Sequence, residues 1–333
     1  MKQASCFAIR FNPAVAGFFL KKMYNFKGRD IIDINDFSKE ELLYILKIAK
    51  KFDPEYVKSD RSNYTIAQGK IAALLFFEPS TRTEQSFRSA AQKIGMGIIG
   101  FDDPEATSIH KGESFSDTIR IMDAYADVLI IRHPEPFSAK GASDVAQIPV
   151  INAGDGPNQH PTQTMLDLYT IMKEAGRLNG ISVALMGDLK YGRTVHALSL
   201  ALSLFKIKQI FISHPILKMP KEFLKILQKR GVTYEEFDHL PASLEADFLY
   251  QTRVQKERFK DLNEYKKIKD EFILDASFKK YLDKGVKLMH PLPRVNEIDP
   301  VLDSHPNAIY FAQARNGLYI REALLALILG RIR

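Results

Sequence analysis

Four consecutive residues, Ser80-Thr81-Arg82-Thr83, bring three hydroxyls and a guanidinium together. They follow an apolar run, Ile71 to Phe77, that reads as a buried strand. They precede Ser86 to Gly95, which reads as a helix ending at a glycine. A strand-to-helix junction offers backbone N–H groups and the positive end of a helix dipole. An oxyanion with several equivalent oxygens, such as phosphate, suits such a cluster. One Ser or Thr there would be an ordinary N-cap. Ser-Thr-Arg-Thr in a row after a buried strand favours an anion site.

Other predicted strand ends carry polar groups of the same kind. One ends in Arg132-His133-Pro134 and another leads through Asn152 to His160-Pro161-Thr162-Gln163. Two more end in Gln251-Thr252-Arg253-Val254-Gln255 and in His290-Pro291-Leu292-Pro293-Arg294. Taken singly each has a plainer explanation. Arg132-His133-Pro134 could be a surface turn, His160 could merely precede a helix with Pro161 at its first position, and Asp155-Gly156 reads as a turn. Open parallel sheets, however, bind ligands at the carboxyl ends of their strands. Arg82, Arg132, His160, Arg193 and Arg253 can therefore converge on one interdomain cleft. An arginine-rich cleft without a carboxylate cluster suggests polyanionic substrates and no required divalent metal.

The elements that must position these residues alternate short apolar runs with helical periodicity, the pattern of α/β layering with parallel sheets. Strands are predicted at 70–77, 97–101, 128–132 and 149–152, then at 182–187, 209–213, 247–251, 272–274 and 286–289. A connecting helix is predicted from Pro161 to Arg177, with Asn179-Gly180 turning into the second set. After Asn316-Gly317, the stretch Leu318 to Leu329 reads as a helix so apolar that it must dock, here expected back on the first domain. Val183 to Asp188 resembles the opening of a dinucleotide-binding unit. The glycine fingerprint is absent after Gly187, which disfavours a nucleotide and leaves Arg193 at the start of the next helix.

Composition narrows the class further. A length of 333 residues suggests two domains, and 45% hydrophobic residues allow full cores. The formal charge of +7 could serve nucleic acid or anionic metabolites, but the basic residues are scattered. The Lys-rich stretch 256–269 is interleaved with Glu257, Asp261 and Glu264 and reads as a solvated helical face. The one cysteine, Cys6, excludes an internal disulfide framework and fits a reducing compartment. No apolar run reaches transmembrane length. Residues 1–27 carry Lys2, Arg10, Lys21, Lys22 and Lys27, and no acid precedes Asp30. A targeting peptide or an upstream start, with Met23 as the natural initiator, both fit. Arg10 and Pro13 interrupt any signal-type apolar core, which favours the second.

From about Asn25 onward the chain resembles the aspartate/ornithine carbamoyltransferase family. Ser80-Thr81-Arg82-Thr83 is shared across that family, and two other motifs place the chain on its aspartate side. His160-Pro161-Thr162-Gln163 has Thr, and His290-Pro291-Leu292-Pro293 has Pro, where ornithine enzymes usually carry Cys. Arg253-Val254-Gln255 stands in place of their amino-acid loop, and a guanidinium there suits a dicarboxylate and repels a cationic ornithine side chain.

The resemblance implies two domains, each a parallel sheet flanked by helices, with the C-terminal helix packing back on the first. Its boundaries would be an extension at 1–24, a carbamoyl phosphate domain at 25–160, a connecting helix at 161–178, an aspartate domain at 179–314 and the returning helix at 315–333. Carbamoyl phosphate would be held by Ser80, Thr81, Arg82 and Thr83. Its carbonyl oxygen would be polarised by Thr83, Arg132 and His160 as an oxyanion hole. Gln163 and the Leu292 carbonyl would orient its amide. Aspartate would lie against Arg193, Arg253, Gln255 and Pro293, with closure of the domains bringing the two anions together. Ser108 and Lys111 would reach a neighbouring subunit's site in a homotrimer. No cofactor or metal is implied, nor a nucleic acid or membrane partner; regulatory chains remain open, and the expected location is the cytoplasm. Glu84, where the family often has Arg, touches none of this chemistry. Two competing readings are a carbamoyltransferase for another acceptor such as ornithine, and a non-catalytic anion- or nucleic-acid-binding protein. The second would bind polynucleotides in a salt-sensitive way without turnover.

Overall fold

The computed structural model describes residues 24–57, 65–101, 112–255, 259, 265, 268 and 270–332. Its strands form two separate sheets. The first contains β1 (Ile71–Phe76), β2 (Gly97–Phe101), β3 (Val128–His133) and β4 (Val150–Asp155), in the order β2-β1-β3-β4. The second contains β5 (Ser182–Met186), β6 (Lys208–Ile212), β7 (Tyr234–Phe237), β8 (Phe248–Gln251) and β9 (Lys287–Met289), in the order β7-β6-β5-β8-β9. Every pairing is parallel. This is why strands such as Ala72–Phe76 read as unbroken apolar runs: helices cover both faces and every side chain is buried.

In each sheet the chain starts at an inner strand, moves outward to one edge, then crosses to the other side. The reversal falls between β1 and β3 in the first sheet and between β5 and β8 in the second. Crossover connections leave neighbouring strands in opposite directions at such a point and open a crevice at their carboxyl ends.

Among the described residues the helices are α1 (Lys39–Ala49), α2 (Thr81–Lys93), α3 (Phe115–Tyr125), α4 (Ser138–Ser143), α5 (Pro161–Ala175), α6 (Arg193–Ser203), α7 (Lys221–Lys229), α8 (Lys279–Leu282) and α9 (Tyr310–Ile328). Helix α5 connects the two sheets and stops at Gly176, whose φ of 70° supplies the left-handed cap. Helix α9 packs against α5, α2 and α1, so the C-terminal helix does return to the first sheet's side. Its Ile320 and the run Ala323–Ala326 are completely buried. No helix among the described residues is long and apolar enough to cross a membrane.

Three elements differ from the sequence-based expectation. Helix α9 begins at Tyr310, eight residues before the predicted Leu318. Asn316 and Gly317 are therefore interior helical positions and not a turn. Asn316 Nδ2 donates to Thr170 Oγ1 of α5 at 2.9 Å. A Cβ on Gly317 would lie 2.9 Å from Leu166 and 2.4 Å from the Arg321 guanidinium, so this glycine is what lets α9 lie close on α5. The segment 272–274 is not a ladder strand: Phe272 and Leu274 are buried, but Leu274 makes only an isolated bridge to Ile298. Conversely β7 was not anticipated. It is a short edge strand whose central Glu235 and Glu236 are exposed, so it lacks the apolar run that marks the others.

Candidate active site

At the carboxyl end of β1 the chain runs through Phe77-Glu78-Pro79 and turns directly into α2. Ser80 is the N-cap, and Thr81, Arg82 and Thr83 are the first helical turn, five residues earlier than predicted. The Ser80 side chain makes no capping bond, while its carbonyl accepts Glu84 N–H at 3.0 Å. The N–H groups of residues 81–83 have no acceptor within the helix. The motif thus presents backbone donors, hydroxyls and a guanidinium at the positive end of one helix.

Beside it, on β3, Arg132 is buried and clamped from two sides. It donates to the Ala153 carbonyl at 3.2 Å and pairs with Glu78 at 3.3 Å. Gly154 makes this possible: with φ at 119°, a Cβ there would lie 2.6 Å from Arg132 Nη1. Burial lowers the Arg132 pKa and Glu78 partly restores it. Burial also lowers that of Arg82, with Arg132 adding to the effect.

His160 follows β4 as the N-cap residue of α5, with Pro161 at the first helical position. Four acceptor contacts from the Asp155 carboxylate knot the intervening turn: Asn152 Nδ2, Phe137 N–H, Asn158 Nδ2 and Gln159 N–H all donate at 2.9–3.0 Å. His160 is buried and its pKa falls well below the ordinary histidine value, through burial first and then Arg132, Arg193 and Arg321. It is therefore a neutral imidazole. Thr162 Oγ1 lies 3.5 Å from Nδ1; in the tautomer where that hydroxyl donates to Nδ1, Nε2 carries the proton and can donate elsewhere.

The second sheet supplies the opposite wall. Asp188, just past β5, is buried and accepts Tyr191 N–H at 2.9 Å and Gln255 N–H at 3.4 Å. It holds the turn that delivers Arg193 to the start of α6 and the turn that delivers Arg253 and Gln255 from β8. Thr252 N–H donates to the Met186 carbonyl at 2.9 Å, keeping those two strand ends together. Past β9, His290 Nδ1 accepts Leu292 N–H at 2.8 Å, which braces the 290–293 loop.

These groups line one cavity of about 430 Å³. Ser80, Arg82, Thr83, Arg132, His160 and Gln163 come from the first half of the chain. Arg193, Arg253, Gln255, Leu292 and Pro293 come from the second. Five guanidinium groups border it, counting Arg321 of α9, and Glu78 is the one carboxylate among the lining residues described. An arrangement this cationic binds anions at two walls and can polarise a carbonyl between them.

Comparison with known proteins agrees with this geometry. Residues 29–173 match the family description "Aspartate/ornithine carbamoyltransferase, carbamoyl-P binding domain", and residues 179–328 match "Aspartate/ornithine carbamoyltransferase, Asp/Orn binding domain". The chain belongs to the aspartate/ornithine carbamoyltransferase family. The aspartate carbamoyltransferase catalytic subunit of Thermococcus onnurineus is 49% identical over 305 residues, 91% of this chain and 98% of that protein. The catalytic subunit of M. jannaschii aspartate transcarbamoylase superposes with a TM-score of 0.84 at 44% identity, covering 91% of this chain and 98% of that one. Aspartate transcarbamoylase from Trypanosoma cruzi in complex with N-(phosphonacetyl)-L-aspartic acid gives a TM-score of 0.83 at 38% identity, covering 91% and 97%.

Within the family member's cavity most expected residues meet, with three exceptions. Thr81 is exposed and is not among the lining residues, although its backbone N–H stands at the helix start. Ser108 and Lys111 lie outside the described residues, as do residues 1–23 and most of the Lys-rich stretch 256–269. Glu84 is buried and pairs with Arg88 at 2.5 Å, apart from the cavity lining.

Sequence reasoning missed Glu78, Ser86, Gln313 and Arg321, all of which line the cavity. Arg321 is buried, donates to Ser86 Oγ at 2.9 Å and lies over the Phe87 ring at 4.9 Å. Burial pushes its pKa down to about 10, with Asp167 opposing that shift. A signal was present: Arg321 and Glu322 are the only charges in the apolar stretch 318–329.

Proposed function

We propose that the protein transfers the carbamoyl group of carbamoyl phosphate to the amine of L-aspartate, giving N-carbamoyl-L-aspartate and phosphate. One observation carries this reading: five arginines from two sheets and the C-terminal helix border a single cavity with one carboxylate. That charge balance fits a phosphate and a dicarboxylic acid bound side by side. A cationic acceptor would be repelled by the guanidinium groups of Arg193 and Arg253 on that wall.

Ser80, the residue 81–83 N–H groups, Arg82 and Thr83 hold the phosphate. Thr83, Arg132 and neutral His160 donate to the carbonyl oxygen as charge builds on it. Gln163 and the Leu292 carbonyl take the carbamoyl amide. Arg193, Arg253 and Gln255 take the aspartate carboxylates, with Pro293 closing the wall beside them. The uncharged amine attacks the carbonyl carbon, the bond from that carbon to the bridging oxygen breaks, and phosphate leaves with the electron pair and the proton shed by nitrogen. Burial and the neighbouring arginines disfavour a protonated ring, so His160 fits a hydrogen-bond donor to the oxyanion better than a proton-accepting base.

The finer reading is a homotrimer in the cytoplasm, working in de novo pyrimidine synthesis, with Ser108 and Lys111 of each chain completing a neighbour's site. Its domains would be residues 25–160 and 179–314, joined by 161–178 and closed by the returning C-terminal helix. The curated relatives' name "catalytic subunit" supports looking for regulatory chains beside it.

Incubation with carbamoyl phosphate and L-aspartate, followed by mass identification of the product, tests the reaction. N-carbamoyl-L-aspartate should form with wild type and disappear with Arg82→Ala. Mixing Arg82→Ala with Lys111→Ala chains and allowing subunit exchange tests the shared site. Random trimers should regain on the order of a quarter of wild-type activity, and none if Lys111 serves its own chain.

A further inference from the structure

Beneath the cavity floor lies a carboxylate that no step of the reaction uses. Asp167, on α5, is completely buried. It accepts three hydrogen bonds: from Gln163 Nε2 at 2.9 Å, Gln313 Nε2 at 2.7 Å and Tyr250 Oη at 3.0 Å. These donors come from α5 itself, from α9 and from β8 of the second sheet. Two of them, Gln163 and Gln313, also line the cavity.

The network fixes which way each amide points. Gln313 Oε1 accepts the backbone N–H of His290 at 2.8 Å, and a backbone N–H can only donate, so Gln313 must present Nε2 to Asp167. Gln163 likewise presents Nε2 to the same oxygen, Asp167 Oδ1. Its carbonyl Oε1 is thereby left as the end available to the cavity. Around it the wall is dominated by donors: arginines, hydroxyls and His160. A carbonyl oxygen there can read an N–H of the ligand.

The Leu292 carbonyl assigned above to the carbamoyl amide belongs to the 290–293 loop, which the same hub secures. Asp167 holds Gln313, Gln313 holds His290 N–H, and His290 Nδ1 holds Leu292 N–H.

We infer that Asp167 is a positioning residue that sets acyl-group selectivity: by orienting Gln163 and, through Gln313, the 290–293 loop, it aims the carbonyl acceptors that distinguish a carbamoyl amide from an acyl group lacking N–H. This rests on the carbamoyl transfer proposed above. Burial pushes the Asp167 pKa up to about 7, against the pull of its three donors. Protonation of Oδ2 would only reverse the bond with Tyr250, whose hydroxyl can accept as well as donate. Oδ1 keeps both amides in either form.

The test compares carbamoyl phosphate with acetyl phosphate, in which a methyl replaces the amide, with L-aspartate as acceptor for both. Gln163→Ala should lower the kcat/KM preference for carbamoyl phosphate about tenfold, the loss of one oriented hydrogen bond. Asp167→Ala should lower it by a similar factor, and the double variant by no more than the larger single loss. Should the alanine variant not fold, Asp167→Thr removes the same carboxylate while keeping a polar, branched side chain. Asp167→Asn keeps an Oδ1 acceptor for both amides and can donate to Tyr250, so it should retain the wild-type preference. Equal losses for the two acyl phosphates in the Asp167 variants would overturn the inference, as would an Asp167→Asn variant that loses the preference. A wild-type protein that releases no phosphate from carbamoyl phosphate would instead overturn the carbamoyl-transfer reading itself.

Discussion

The two walls of the cavity are built differently. On the first-sheet wall the anion cradle is compact: a single helix start provides Ser80 to Thr83, with Arg132 buried against Ala153 and Glu78 beside it and His160 and Gln163 added from the start of α5. The second-sheet wall is assembled from three separate chain segments: the start of α6, the end of β8 and the loop after β9. Asp188 joins the first two through backbone N–H groups, and Gln313 joins the third to the hub at Asp167. A cradle made from one helix terminus can bind an anion before anything else arrives, because its donors already point together. A wall made from three segments recognises shape and charge only when all three are in register. On the proposed function, this contrast predicts that the phosphate-bearing substrate binds first and the dicarboxylate second.

Mutations can break this comparison at either wall. The largest effect should come from Arg132→Ala, which removes an oxyanion donor and leaves Glu78 unpaired at the cavity. The Glu78 side chain is partly exposed, so the lost charged donor carries most of the effect. Turnover should fall by more than ~10³, measured as phosphate release at saturating substrates. Next, His160→Ala should lower kcat by ~10²–10³ while inorganic phosphate still binds with near wild-type affinity. Lost phosphate affinity with normal turnover would mean that His160 belongs to the phosphate cradle.

Arg253→Ala acts on the other wall. It should raise KM for aspartate ~10–100-fold, in line with a hydrogen bond to a charged group. Carbamoyl phosphate binding, followed by calorimetry, should not change. If both substrates weaken together, the walls are not separable.

The smallest effect concerns pH and stability. The folded-state pKa of His160 lies below the ordinary 6.5 of the unfolded chain. Above 6.5 both states are neutral there and the group costs nothing. As pH falls through 6.5 toward the folded value, only the unfolded chain takes the proton, so the native state loses stability. His160→Asn lacks this proton uptake. The Tm difference between wild type and variant should be flat from pH 7 to 8.5 and shift against wild type by pH 5. A difference that stays constant to pH 5 would mean that His160 titrates normally.

The same contrast governed what the sequence revealed. The anion cradle of the first wall was legible because Ser80 to Thr83 are contiguous and follow Ile71–Phe76, an apolar run that fits a doubly covered strand. Even so, the helix was placed five residues too late, since a Ser-Thr-Arg-Thr turn has no apolar stripe to mark it as helical. Arg253 and Gln255 gained a role through resemblance, because three distant segments meet only in the fold. Strand β7 was invisible because its exposed centre is Glu235-Glu236. Phe272 and Leu274 read as a strand because burial under a sheet gives the same apolar signal as membership of it. Gly317 read as a turn, although its purpose is close approach of α9 to Leu166. Asp167 drew no attention, yet its spacing of four from Gln163 on one helix was the trace of their contact.

On the proposed function, the second wall selects a dicarboxylate acceptor for a carbamoyl group held at the first. The most direct test of that selection is phosphate release at saturating carbamoyl phosphate, with kcat/KM measured for L-aspartate and for L-ornithine on the same preparation. Rapid release with aspartate and little above background with ornithine is the expected result. Ornithine as the preferred acceptor, or equal rates with both, would contradict it.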